Sequence, residues 1–391
     1  MASASTLNRR RKDKKKDAEE GGPPKHEIEA SGKRSSVMNV LFVASLLSAC
    51  AFALYYLFPQ FFWEEPANGI RLEQDSQLPF KVVDLPGKGK GVIATRDIAQ
   101  GELLFREEPL FLVPTSISMS PGPLLLTLLA RLTPTERKRY YDLSYVNFPS
   151  GLKPDSPEYH EALALAIFQT NSIAAGNGQA GIFPNVARLN HGCSKAFNSV
   201  YSWRANEGKR GLIVVHALKA IKEGEELLTT YLDTKRPRDA RRGYLHDHYG
   251  FTCQCSVCTL ADDLSRKSDE RLTRMADLYG KFATWGSDAI DGKEAVAVAR
   301  EIWSIGEEEG YWSERGRLAA DAAWVAAAHS DADAVQEWAA LGLEWYAYEL
   351  GADSEQVREM KDVMGSPRSH PVWGSKRELI VGGPGNLSSK V

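Results

Sequence analysis

Asn190-His191-Gly192-Cys193, Gly224-Glu225-Glu226-Leu227-Leu228-Thr229-Thr230-Tyr231 and Tyr249-Gly250-Phe251-Thr252-Cys253-Gln254-Cys255-Ser256-Val257-Cys258 lie in one stretch, which holds four of the chain's five cysteines. Cys193, Cys253, Cys255 and Cys258 match in number the four thiolates that a closed structural zinc site needs, tetrahedral with Zn–S of about 2.3 Å. A disulfide from Cys253 to Cys255 or Cys258 is the poorer reading, because such tiny loops strain the bridge. Leu212-Ile213-Val214-Val215 reads as a buried strand, Glu223-Gly224 as a turn, and Glu226 to Tyr231 as a returning strand. Pro237 to Tyr249 reads as a basic amphipathic helix, with Arg238, Arg241 and Arg242 outward and Leu245 inward, stopped at Gly250.

In this order and spacing, N-H-x-C, G-E-E-L…Y, a basic helix and Y-G-F-x-C-x-C-x-x-C resemble the SET domain of protein lysine methyltransferases with its post-SET zinc segment. The look is that of the SET/MYND branch without a MYND finger. The resemblance implies an α+β fold: a SET β-fold with a pseudoknot and a helical insertion, followed by an α-helical, TPR-like C-terminal region. It implies S-adenosylmethionine as methyl donor, structural zinc, and a protein substrate offering a lysine side chain.

Residue by residue, the resemblance makes Tyr231 the catalytic tyrosine, facing the methyl group and the target amine. Gly89, Lys90 and Gly91 become the backbone loop that approaches the donor, where a missing Cβ permits close contact. Asn171, Asn190, His191, Tyr231 and Phe251 line the donor pocket, and Cys193 joins Cys253, Cys255 and Cys258 as metal ligands. For Asn171 a plain helix C-terminal role is an equal alternative. The family usually continues Cys-x-Pro-Asn, whereas here Ser194-Lys195-Ala196-Phe197-Asn198 intervenes. This reads as a small local insertion, with Asn198 standing in for the family asparagine.

A length of 391 residues leaves room for a sizeable core and two globular units. Composition is ordinary, at 43% apolar and 25% charged. Residues 1–36 hold ten basic against six acidic side chains, a net of +4; the whole chain is −3, so the remainder carries −7. That acidic remainder argues against direct nucleic-acid binding, which needs clustered basic groups. No nucleophilic serine or cysteine and no phosphate loop competes for the site.

Residues 1–36 read as a disordered basic tail around Arg9-Arg10-Arg11-Lys12-Asp13-Lys14-Lys15-Lys16. Residues 37–58 carry no charge over 22 positions, long enough for a bilayer core of about 30 Å, and an aromatic cluster (Phe61, Phe62, Trp63) follows. A signal anchor is preferred to a core helix or a cleaved signal peptide. Charge bias then gives a single-pass membrane protein of the endoplasmic reticulum or another endomembrane, its N-terminus cytosolic. The side of the catalytic part stays open, because reduced zinc thiolates suit the cytosol.

Residues 59–78 read as a linker and 79–232 as the SET domain, with the helical insertion at about 121–170. Within it Leu124 to Leu129 form a buried segment, Glu136 to Tyr141 is too mixed to assign, and Ala162, Leu165 and Phe168 share one helix face. Residues 233–260 carry the basic helix and zinc segment. Residues 261–366 turn helical and tryptophan-rich, with helix starts at Asp331 and Ser354 but no clean 34-residue repeat. Residues 367–391 look like a flexible tail, with a glycosylation sequon at Asn386-Leu387-Ser388. The functional reading is a membrane-anchored, S-adenosylmethionine-dependent protein-lysine N-methyltransferase. Its alternative is an inactive SET scaffold binding a protein partner through the C-terminal helices.

Overall fold

The computed structural model describes residues 78–117 and 120–387. The basic tail, the apolar segment 37–58 and most of the linker lie outside these residues. The membrane localisation is corrected: among the described residues no helix is long and apolar enough to cross a membrane.

Strands β1 (Phe80–Leu85) and β2 (Gly89–Ala94) pair antiparallel from Phe80↔Ala94 to Leu85↔Gly89, forming the β-ribbon that the Lys88-Gly89-Lys90-Gly91 turn signalled. Two three-stranded antiparallel sheets follow. One has β9 (Leu212–Ala217) between β3 (Leu103–Glu107) and β8 (Ser199–Arg204); the other has β6 (Gln179–Ile182) between β4 (Leu112–Pro114) and β5 (Ser172–Ala174). Every residue of β9 is buried, as a continuous apolar run demands of a central strand. The fourth pairing is parallel: β7 (Asn190–His191) against β10 (Leu228–Thr229), with Leu228 opposite Asn190 and Thr229 opposite His191.

That short parallel pair is the crossing of the pseudoknot. Asn198 locks it: its Nδ2 donates to the Glu226 carbonyl at 2.9 Å and its Oδ1 accepts from the Leu228 N–H at 2.8 Å. One buried amide thus satisfies two backbone groups of the opposing thread. Asn198 therefore has a structural task, clasping the second thread to the first.

The insertion comprises α1 (Pro121–Ala130), α2 (Pro134–Tyr141) and α3 (Pro157–Asn171). The unassigned stretch around Glu136 is α2, nucleated by a capping box: Glu136 N–H donates to Thr133 Oγ1 at 3.3 Å and Thr133 N–H to Glu136 Oε2 at 2.9 Å. On α3 the fully buried face is Ala164, Ala166 and Ile167, and Leu165 and Phe168 are only partly covered.

Beyond α4 (Arg238–Tyr249), helices α5 (Asp262–Ala283), α6 (Gly292–Glu309), α7 (Arg315–Ala328), α8 (Ala332–Leu350) and α9 (Glu355–Gly365) pack around Trp303, Trp338 and Trp345. Asp331 and Ser354 cap α8 and α9, accepting from Ala334 and Val357 N–H. Alanines line the α7–α8 contact, which lets the two helices approach closely.

The segment expected to be a flexible tail is docked through Leu387. Gly374 and Lys376 N–H donate to the Ala327 and Ala328 carbonyls, and Val381 and Gly382 N–H to Asp331 Oδ2 at 2.8 and 3.0 Å. Trp338 Nε1 donates to the Gly382 carbonyl at 3.2 Å. Asp331 thus caps a helix and holds the strap with one carboxylate. Removing residues 367–391 should cost about 2–4 kcal/mol, since several buried polar groups lose partners at once. A urea midpoint equal to that of the full chain would refute this.

Candidate methyl-donor pocket and zinc site

The four cysteine sulfurs lie within 4.8 Å of one another, with Cys193 Sγ 3.6 Å from Cys258 Sγ, and none is disulfide-bonded. A tetrahedral ion with Zn–S of about 2.3 Å needs sulfurs about 3.8 Å apart. The donor set is all sulfur, three of the four cysteines are buried, and the spacing suits zinc.

Two neighbours stabilise a thiolate cluster. His191 is buried, and its burial pushes the imidazole down to about 4, so the ring is neutral. Its Nδ1 accepts from Tyr231 N–H at 3.1 Å, which leaves the proton on Nε2, 3.2 Å from Cys193 Sγ. One ring therefore donates to a sulfur of the cysteine cluster and receives the backbone of the opposite thread, fixing its tautomer.

Arg241 is the second neighbour, and here the outward assignment is corrected: its side chain is 0% exposed. It lies one turn before Leu245 on the same face of α4, and both point inward. Its Nη1 bonds Asp269 Oδ1 at 3.1 Å and the Arg236 carbonyl. Burial works against its charge, but the Cys193 and Cys258 sulfurs and Asp269 outweigh that and hold it protonated. A zinc tetrathiolate is doubly negative, and a buried guanidinium offsets part of that charge. Arg242 adds bonds to the Cys253 and Cys258 carbonyls at 3.2 and 2.8 Å, fixing the loop that carries three of the four cysteines.

Above the cluster, Asn190 Nδ2 donates to Glu226 Oε1 at 2.9 Å and to the Lys90 carbonyl at 3.2 Å. A Cβ on Gly91 would meet Leu85 Cδ1 at 2.3 Å and Asn190 Nδ2 at 2.8 Å, so any side chain there would push Leu85 and Asn190 from these positions. The Lys90 side chain points elsewhere, to Asp84 at 3.0 Å, so only the Lys90 backbone carbonyl meets Asn190. Lys88 pairs with Glu226 Oε2 at 2.5 Å, tying the ribbon to the second thread.

Tyr231 donates its hydroxyl to the Leu189 carbonyl at 2.9 Å, and its ring lies 4.9 Å from Tyr249 and 5.4 Å from His191. Phe251, placed by the left-handed turn at Gly250, brings its ring 6.5 Å from His191. Asn190, His191, Tyr231, Phe251, Gly91 and the Lys90 backbone therefore gather around the crossing. Asn171 stands apart in its bonding: its amide donates to the Ser144 and Ile167 carbonyls at 2.7 and 2.8 Å, closing the end of α3. Gly89 occupies the hairpin end of β2, opposite Leu85.

Sequence reasoning passed over Glu107. Buried at the end of β3, it accepts from the Asn185 and Val186 N–H groups at 3.0 Å and from Arg139 at 3.1 Å. It thereby fixes the turn that delivers Asn190 to the crossing. A lone glutamate closing a strand leaves no pattern in the sequence.

A β-ribbon, small sheets and a two-thread crossing above four clustered cysteines define a SET protein. A family model described as the SET domain matches residues 89–232. Residues 89–232 thus carry a SET domain, similar to those of protein-lysine methyltransferases. The chain is 28% identical over 293 residues to the histone-lysine N-methyltransferase set5 of Schizosaccharomyces pombe, covering 74% of this chain and 85% of that protein. It is 37% identical over 92 residues to human N-lysine methyltransferase SMYD2, 24% of this chain and 20% of that protein. Among solved structures, the SET domain of LSMT bound to lysine and AdoHcy aligns at a TM-score of 0.34 and 11% identity, over 75% of this chain and 87% of that one.

Proposed function

We propose that the chain methylates a protein lysine at the crossing of the two threads, with S-adenosylmethionine as donor and Tyr231 orienting the amine. The observation that carries this is the joint placement of Asn190, His191 and Tyr231 on the paired threads. The donor, when bound, supplies an electrophilic methyl on a sulfonium; the lysine nitrogen forms the new N–C bond as the C–S bond breaks, and the amine proton passes to solvent. A lysine of pKa about 10.4 must first lose its proton at neutral pH, which costs roughly 4–5 kcal/mol and is eased by desolvation.

Burial raises the Tyr231 phenol above its ordinary range, so at neutral pH it is a hydroxyl and not a base. Its proton is committed to Leu189, and its oxygen lone pairs are left to accept from the incoming amine. Asn190 Nδ2 donates to Glu226 and to the Lys90 carbonyl, leaving Oδ1 as an acceptor for the ammonium end of the donor. Phe251 offers an apolar face to the adenine side, whereas the Asn171 amide is spent on the Ser144 and Ile167 carbonyls and Gly89 lies at the hairpin end. Cys193, Cys253, Cys255 and Cys258 would hold zinc, which ties Phe251 to the first thread. The scaffold alternative loses its main support, because the 194–196 insertion leaves Asn190, His191 and Asn198 engaged.

Tyr231→Phe in the full chain should lower kcat about 100-fold while leaving donor affinity within about threefold, since the lost oxygen acts on the amine. Asn190→Ala should weaken donor binding about tenfold by calorimetric titration. Methylation of a peptide array by both variants at the wild-type rate would sink the assignment.

A further inference from the structure

The departure Ser194-Lys195-Ala196 meets the end of one helix of the C-terminal region. Ser194 Oγ donates to Glu309 Oε1 at 3.1 Å, an oxygen that also accepts from Ser268 Oγ at 2.6 Å. Glu309 Oε2 accepts from Arg271 Nε and Nη2 at 3.0 and 2.8 Å. Both Ser194 and Glu309 are buried, at 1% and 3% exposure, so the pair is shielded from water. Ser194 has a φ of +29°, a strained value for a residue with a Cβ, and something outside its own segment must hold it there.

The next two residues extend the contact. A Cβ on Gly310 would lie 2.9 Å from Lys195 Cβ, and the Tyr311 ring sits edge-on to Phe197 at 5.9 Å. Tyr311 also reaches the other thread: its hydroxyl accepts from Lys235 Nζ at 3.3 Å, and Lys235 bonds both Glu314 oxygens at 3.1 Å. Ser194 N–H closes the loop by donating to Thr234 Oγ1 at 3.3 Å. Residues 309–311 therefore grip segment 194–197 of the first thread and 234–235 of the second, immediately beyond Cys193 and Tyr231.

We propose that Glu309 is a positioning residue for methyl-donor binding, holding Ser194 and through it the Asn190–Cys193 segment. The inference rests on the functional reading above. It makes the C-terminal helical region part of the donor site's support, acting from α6 without touching the donor. Glu309→Gln keeps the shape but removes the charge that Arg271 and two serines bind.

In the full chain, Glu309→Gln and Ser194→Ala should each raise the donor KM about tenfold with kcat within about twofold. The double variant should be no worse than the worse single one, because both cut the same contact. Glu301→Gln is the control: it removes the exposed pair to Arg274 on the same two helices and should leave KM unchanged. A second readout is independent of the donor. Mass-mapped labelling of Cys193 by a thiol reagent in the presence of a chelator should run about tenfold faster in Glu309→Gln than in wild type. A wild-type chain that does not bind the donor would refute the functional reading, and the labelling rate would still decide the positioning role. Wild-type labelling rates in Glu309→Gln, or equal KM changes in Glu309→Gln and Glu301→Gln, would overturn it.

Discussion

Cys193→Ser should empty the zinc site, lower the melting temperature by about 10 °C or more, and abolish measurable donor binding. A neutral serine hydroxyl is a poor zinc ligand, and structural zinc is worth about 10–16 kcal/mol of apparent binding free energy in small domains. The effect should exceed that of Cys255→Ser because Cys193 belongs to the first thread while the other three ligands share one short loop. Losing it frees the thread that carries Asn190 and His191, and it also leaves His191 Nε2 without its sulfur. Elemental analysis with a thermal scan checks both parts. One zinc per chain and an unchanged melting temperature in the variant would refute the assignment.

Arg315→Ala should destabilise the helical region by about 3–5 kcal/mol. The guanidinium lies 4.4, 4.3 and 4.8 Å from the rings of Trp303, Trp312 and Trp345. Burial pulls its pKa down to about 10, and its nearest carboxylate, Glu307, is 3.6 Å away. Its Nε and Nη1 have no hydrogen-bond partner among the described residues. The arginine therefore contributes mainly as a flat body between indoles, with a cation–π attraction of about 2 kcal/mol when desolvated. Arg315→Met should recover most of the loss, since a buried, weakly paired charge is readily replaced by an apolar side chain of similar size. Urea midpoints separate the cases, and a Met variant as unstable as Ala would show that the charge dominates.

The parts legible in the sequence were those whose chemistry is local. C-x-C-x-x-C places three cysteines within six residues, and N-H-x-C and the run before Tyr231 mark the two threads without reference to anything distant. Asp331 and Ser354 announced their helices because an N-cap acts within three residues. The same logic was available at Thr133-Pro134-Thr135-Glu136, where the capping box was obscured by a charged helix with little apolar pattern.

What was not legible depends on distant partners. Arg241 looked like a solvent-facing charge because composition does not reveal a sulfur cluster on the far side of the helix, although its four-residue spacing from Leu245 did hold the clue. The strap of residues 370–387 is fixed by its backbone groups, which no side-chain pattern records. The uncharged run at 37–58 matched a bilayer in length, but hydropathy reports partition and not location. Ser194-Lys195-Ala196 reads as a small local insertion, and no pattern in the sequence announces Glu309 as the partner of Ser194.

The Ser194–Glu309 bond spans 115 residues of chain, which sets an order of events during synthesis. At about 5–20 residues per second, roughly 6 to 23 s separate the two residues leaving the ribosome. The last zinc ligand, Cys258, follows Cys193 by only 65 residues. The metal can therefore be captured while the helices that brace the crossing have yet to be made.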